Sequence, residues 1–163
     1  RSATSEVPPL NGTKRCLLVA LDFSESSRSA LRRAVRMMRD GDTSLLLVHV
    51  IDFGELEEVA RLVRLEPADL KDRVTRNRLG RIDRILEELP EPAPAHRVEK
   101  FAVWGTPFAE ILKKAREFDV DQIILGTAGR SADLETVLFG STAEKVLRGA
   151  SQPVLCVPVG CDK

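Results

Sequence analysis

Ile123-Ile124-Leu125-Gly126-Thr127-Ala128-Gly129, followed after a polar loop by Gly140-Ser141-Thr142, sets an apolar run, a glycine turn and a helix start in succession. An apolar run of this length bounded by glycine is a buried strand. Glycines let main-chain N–H groups come close to an anion. A helix N-terminus adds N–H groups without intrahelical partners and the positive end of the helix dipole. Strand, glycine turn, loop and helix in that order form a phosphate-binding context. The alternative is that Gly126 and Gly129 only shape a tight turn and Gly140-Ser141 only begins a helix.

The same alternation extends in both directions. Arg15 to Leu21 is a short apolar run ending at Asp22, and Ser24 caps a helix with Ala30, Leu31, Ala34, Val35 and Met38 on one stripe. Gly41-Asp42 ends that helix, and Leu45 to Ile51 reads as a second strand. It is apolar on both faces, as in a parallel sheet covered on both sides. A charged connection from Asp52 to about Glu66 leads to a helix opened by Pro67, with Leu70, Val74, Leu79, Ile82, Leu86 and Leu89 facing a core. Pro90 to Pro94 breaks it. Val98 to Val103 is a third strand, and Gly105-Thr106-Pro107 opens a helix carrying Phe108, Ile111, Leu112, Ala115 and Phe118. Asp121 to Leu125 is the fourth strand. Ser141-x-x-Glu144 has the form of a capping box, and Val154 to Val159 is a fifth strand. Pro158 removes a ladder donor, so this last strand belongs at a sheet edge. Strands alternating with helices define an α/β fold with a parallel sheet.

Composition narrows the function. The 163 residues divide into a tail over 1–14, one domain over 15–160 and a short tail over 161–163, with no second domain or repeat. Lys plus Arg equals Asp plus Glu at 25 each, without the basic excess of a nucleic-acid binder. No Tyr and one Trp leave little for base stacking. Cys16, Cys156 and Cys161, with His49 and His96, show no metal-ligand spacing. Cys16 and Cys156 sit in apolar runs as inert thiols. No apolar stretch approaches the ~20 residues needed to span a membrane. Glu6 and Pro8-Pro9 stand where a signal peptide needs an apolar core, so a cytoplasmic setting is expected. His96 reads as exposed and Trp104 as a packing residue. The arginines Arg28, Arg32, Arg33, Arg36 and Arg39 form a solvated helix face.

If the strand order is 3-2-1-4-5, it reverses between the first and fourth strands. The Asp22-Phe23-Ser24 and Gly126-Thr127-Ala128-Gly129 loops then share one crevice, where such sheets bind ligands.

Val19-Ala20-Leu21-Asp22-Phe23-Ser24-Glu25, Leu47-Val48-His49-Val50-Ile51-Asp52, Gly105-Thr106-Pro107, Gly126-x-x-Gly129 with Gly140-Ser141, and Pro153-Val154-Leu155 together resemble the universal stress protein family, from about Lys14 to Val159. The resemblance implies a five-stranded parallel sheet of order 3-2-1-4-5 with helices on both faces, of the adenine nucleotide alpha hydrolase-like, Rossmann-like type. It implies a homodimer through the edge strand at about Val154–Val159, and ATP or AMP as ligand, with Mg2+ carried on the bound phosphates where a metal takes part. By position, Ala20, Asp22 and Val50 would hold base and ribose, with Gly126 beside the ribose. Gly129, Gly140, Ser141 and Thr142 would hold the phosphates. Asp22 can also accept a hydrogen bond from a ribose hydroxyl, or act as a strand-end turn residue.

Arg130 through Phe139 put ten residues between Gly129 and Gly140, one more than nucleotide-binding members usually have, and Ala128 replaces a common His. A stress-response regulatory module is the function implied, and a nucleotide-free dimerisation or adaptor module of the same fold is the alternative. The chain has no G-x-x-x-x-G-K-[ST] loop and no evident general base. No catalytic residue is therefore assigned, though slow ATP hydrolysis stays open. A phospho-receiver domain is excluded, because Val103-Trp104-Gly105 stands where its phospho-accepting Asp belongs.

Overall fold

Each apolar run forms a strand, and the computed structural model describes residues 14–39, 41–54, 67–127 and 139–161. The strands are β1 (Arg15–Ala20), β2 (Thr43–Ile51), β3 (Val98–Trp104), β4 (Gln122–Gly126) and β5 (Val154–Val157). They form one sheet of order β3-β2-β1-β4-β5, and every neighbouring pair is parallel. Among the described residues, four helices join them: α1 (Glu25–Met37), α2 (Pro67–Glu87), α3 (Pro107–Glu117) and α4 (Ser141–Gly149).

Both faces of the sheet are covered, which is why the central strands carry no polar alternation. On one face Leu17, Val19, Leu45, Leu47 and Ile124 meet Ala30, Leu31, Ala34 and Val35 of α1 and Ile82 and Ile85 of α2. On the other, Leu18, Leu46, Val48, Ile123 and Leu125 meet Ile111, Leu112 and Ala115 of α3 and Ala143 and Val146 of α4. Ile85, 3% exposed, belongs to the core stripe of α2 although the spacing reading passed over it. Val74, assigned to that stripe, is half-buried.

Several local expectations need correcting. β5 ends at Val157, so Pro158 and Val159 follow the strand instead of lying in it. The strand is nevertheless at the sheet edge, next to β4 only. Residues 95–97 form a 3-10 turn ahead of β3 that periodicity did not indicate. Cys16 and Cys156 are half-buried, less enclosed than apolar runs suggest, while Cys161 and His96 are exposed. Burial raises the pKa of both half-buried thiols above the usual value. For Cys16 a Ser44 hydrogen bond opposes that effect, while Asp121 and Glu99 add to it.

The arginine face of α1 is more structured than a merely solvated surface. Arg28 reaches Glu88 at 3.1 Å, Arg32 reaches Glu25 at 2.7 Å, and Arg39 Nε donates to Glu91 at 3.1 Å. Exposed pairs of this kind contribute ~0–1 kcal/mol each. Arg33 is exposed.

Candidate functional site

Strand order reverses between β1 and β4, so the crevice beyond their carboxyl ends is where a ligand site is expected. Three chain segments meet there: the turn after β1, the end of β4, and the N-terminus of α4.

The turn after β1 begins when the Leu21 N–H donates to the Val48 carbonyl at 2.8 Å. Asp22, half-buried, follows, and its Oδ1 accepts from the Ser24 N–H at 3.0 Å and the Ser24 hydroxyl at 2.5 Å. This is an Asx turn. Ser24 in turn caps α1 by accepting from the Ser27 N–H at 3.2 Å. Between them Phe23 adopts φ +67°, a conformation rare for a bulky residue. Such strain costs on the order of 1–3 kcal/mol. Burying the Phe23 ring to 6% exposure recovers about 1.5–3 kcal/mol. The ring lies 4.3 Å from the His49 ring and 4.1 Å from the Arg81 guanidinium carbon.

At the end of β4, Gly126 is a close-approach glycine. A Cβ there would stand 2.3 Å from Ser26 Oγ and 2.6 and 2.7 Å from the Ser26 and Ser27 backbone. The missing side chain is therefore required by the first turn of α1. Ser26 also lies 3.3 Å from the Ser24 hydroxyl, which links β4 to the Asp22 turn. Thr127 then donates to the Val157 carbonyl at 3.3 Å and accepts the Gly140 N–H at 2.7 Å.

That last bond sets the start of α4 against β4 and settles its capping. Gly140, with φ −69° and ψ 157°, is the N-cap, and its carbonyl accepts from the Glu144 N–H at 3.0 Å. Ser141 is thus the first helical residue. The expected capping box does not form, because the cap position lies one residue earlier on a glycine with no side chain to accept. Glu144 pairs instead with Arg148 at 2.7 Å. Of the four N–H groups at a helix start that lack intrahelical partners, Gly140 gives its own to Thr127. Ser141, Thr142 and Ala143 supply the other three.

Ala20 and Val50 lie among the half-buried residues on the α3/α4 face of the sheet. They therefore share a face with the start of α4. Asp22, Gly126, Gly140, Ser141 and Thr142 surround the same strand ends. Ala128, Gly129 and Arg130 lie outside the described residues. Reading the chain linearly missed Ser26, Thr127 and Ala143. The first two act through close approach and a long-range carbonyl, and only the serine-rich start of α1 facing a glycine-ended strand hints at either.

Trp104 packs as expected, with its Nε1 donating to Thr75 at 2.9 Å. Among the described residues no group of three or more His, Cys, Asp or Glu could hold a metal, and no helix is long and apolar enough to cross a membrane.

Fold and crevice together define a doubly wound α/β domain whose strand order reverses between β1 and β4. The universal stress protein family matches residues 15–158, and the chain belongs to that family. A universal stress protein of Methanocaldococcus jannaschii is 31% identical over 153 residues, covering 86% of this chain and 93% of its own. Its solved structure superposes with a TM-score of 0.72 at 30% identity, over 88% of this chain and 95% of that one. Universal stress protein YxiE of Bacillus subtilis is 29% identical over 148 residues, 86% of this chain and 97% of its own. Two more distant structures share the fold. A universal stress protein in complex with cAMP has a TM-score of 0.58 at 23% identity, over 90% and 98% of the two chains. One from Archaeoglobus fulgidus in complex with dAMP has a TM-score of 0.57 at 22% identity, over 88% and 97%.

Proposed function

We propose that this universal stress protein binds an adenine nucleotide, ATP or AMP, in the β1/β4 crevice and works as a regulatory module in a stress response. The observation that carries the reading is that the end of β4 links the Asp22 turn, through Gly126 against Ser26, to the start of α4, through Thr127 and Gly140, where Ser141, Thr142 and Ala143 present first-turn N–H groups. A carboxylate there accepts from a ribose hydroxyl, and three N–H groups at a positive dipole end suit phosphate. Ala20 and Val50 offer small apolar surface to the base. Gly129 belongs to the phosphate side by its place in the motif. The cAMP and dAMP complexes support the reading, because the fold holds an adenine nucleotide in both proteins. Mg2+ would ride on the phosphates, with few protein oxygens needed.

Gly126 and Gly140 act differently from a simple motif reading. Gly126 serves the α1 contact, and the Gly140 N–H is already given to Thr127. The phosphate site is therefore the α4 first turn itself.

Those same two contacts favour a second reading, in which the glycines are structural and the domain is a nucleotide-free dimerisation or adaptor module. A homodimer through β5 fits either reading. The strand is a sheet edge, and Leu147 and Val159 are 41% and 51% exposed.

Titration calorimetry with ATP and AMP, with and without Mg2+, separates the two. Micromolar binding of either supports the nucleotide module. Absence of heat and of any thermal-stability shift with both leaves the adaptor.

A further inference from the structure

His49 is 1% exposed in a strand whose neighbours Leu45, Leu46, Leu47, Val48 and Ile51 are all buried and apolar. Leucine would fill such a position as well, and burying a polar ring is unfavourable unless it is hydrogen-bonded. The imidazole adds a donor. Its Nδ1 lies 2.7 Å from the Leu21 carbonyl oxygen, which carries no hydrogen, so Nδ1–H donates.

The position of that bond matters. Residue pairing between β1 and β2 ends at Ala20 opposite Val48, and the Leu21 N–H makes the last ladder bond, to Val48. The His49 side chain then takes the Leu21 carbonyl, where a further backbone donor would otherwise be needed. Both polar groups of Leu21 are thereby tied to β2. Two residues later the chain meets His49 again, through the 4.3 Å contact between its ring and that of Phe23. Arg81, projecting from α2, covers the Phe23 ring as well. Asp22 lies between these two anchors.

We propose that His49 is a positioning residue for ribose recognition: it holds the turn that presents the Asp22 carboxylate, without touching the ligand. The proposal rests on the adenosine reading of the crevice. Its geometric support is that His49 packs on the α1/α2 side with Phe23, whereas Ala20 and Val50 lie on the α3/α4 side. Recognition by a single carboxylate needs placement to within about 0.5 Å. Ser24 holds the carboxylate within the turn, and with Phe23 strained the His49 contacts fix the turn itself against β2.

The test compares the dissociation constants for AMP and 2′,3′-dideoxy-AMP in the full chain, with Tm recorded for each variant. Wild type should prefer AMP by about tenfold, the size of one good hydrogen bond. His49→Leu removes the donor and the aromatic contact and should bring the preference close to one, with dideoxy-AMP affinity changed less than about threefold. His49→Asn places an amide N–H where Nδ1–H stood and should restore most of the preference.

A merely structural role would leave the preference intact in His49→Leu, whatever its Tm, and that result overturns the inference alone. Wild type that binds both nucleotides equally overturns ribose recognition by Asp22 and this inference with it. Wild type that binds neither overturns the nucleotide reading itself. If His49→Leu does not fold, Phe23→Leu decides: it removes the second anchor and should also lower the preference, and an unchanged preference overturns the proposal.

Discussion

Replacing Ser141 with proline should weaken phosphate binding while leaving the fold intact. Ser141 is the first residue of α4, where proline's fixed φ is already helical and its missing N–H has no intrahelical role. The preceding residue, Gly140, has ψ 157°, the extended backbone that a residue before proline adopts. Stability should hold or rise by about 0.4–1 kcal/mol, which is roughly 1–4 °C in Tm for a domain of this size. The proposed site loses one of three N–H donors to a charged phosphate, about 1.5–3 kcal/mol. At 1.4 kcal/mol per decade this is a tenfold to roughly hundredfold weaker AMP or ATP complex. Adenosine, which has no phosphate, should bind Ser141→Pro as it binds wild type. Ser141→Ala keeps the N–H and separates any hydroxyl contribution. Calorimetry with AMP and adenosine, with melting curves alongside, reads all of this. A Ser141→Pro protein that melts normally and binds AMP within twofold of wild type would refute the assignment of phosphate to the first turn of α4.

Gly126→Ala should destabilise by about 1–3 kcal/mol, because its Cβ would meet the Ser26 and Ser27 backbone; the melting curve should drop by roughly 2–12 °C. Leu147→Glu together with Val159→Glu should dissociate the proposed β5 homodimer, read by light scattering, since Leu147 of α4 and Val159, two residues past β5, are exposed apolar side chains. Thiol titration at neutral pH should label exposed Cys161 first, and the half-buried Cys16 and Cys156 more slowly. Burial, the main effect on Cys16, raises its folded pKa above the ordinary 9.0, so its contribution to stability is intact below pH 9. As pH rises past that value the unfolded chain ionises first and Tm falls, a loss that Cys16→Ala should lessen.

Much of the fold was legible because strands buried on both faces are continuous apolar runs, and helices such as α1 bury a regular stripe. Leu17 to Val19, Leu45 to Val48 and Ile123 to Leu125 could hardly be read otherwise. Pro67 and Ser24 marked helix starts through local chemistry that needs no distant partner. What escaped notice depends on contacts far apart in sequence or on conformation against type. Phe23 adopts a left-handed φ that favours Gly, Asn and Asp, so nothing in its identity announces the turn. Gly126 looks like a ligand glycine, yet its nearest neighbour is Ser26. Ser141 looks like a cap, yet the Thr127 carbonyl draws Gly140 into that role. His49 stands in a strand like any buried residue, and its bond to Leu21 joins residues 28 apart. The site was legible as a neighbourhood and much less so as a set of roles.

The most direct measurement of nucleotide binding at the switch point is an amide chemical-shift map recorded while AMP is titrated into the labelled protein. The account predicts saturable shifts at Asp22 to Ser24, at Gly126 and Thr127, and largest at Ser141, Thr142 and Ala143. Shifts confined to the arginine face of α1 around Arg32 and Arg36, or no shifts at millimolar AMP, would contradict it.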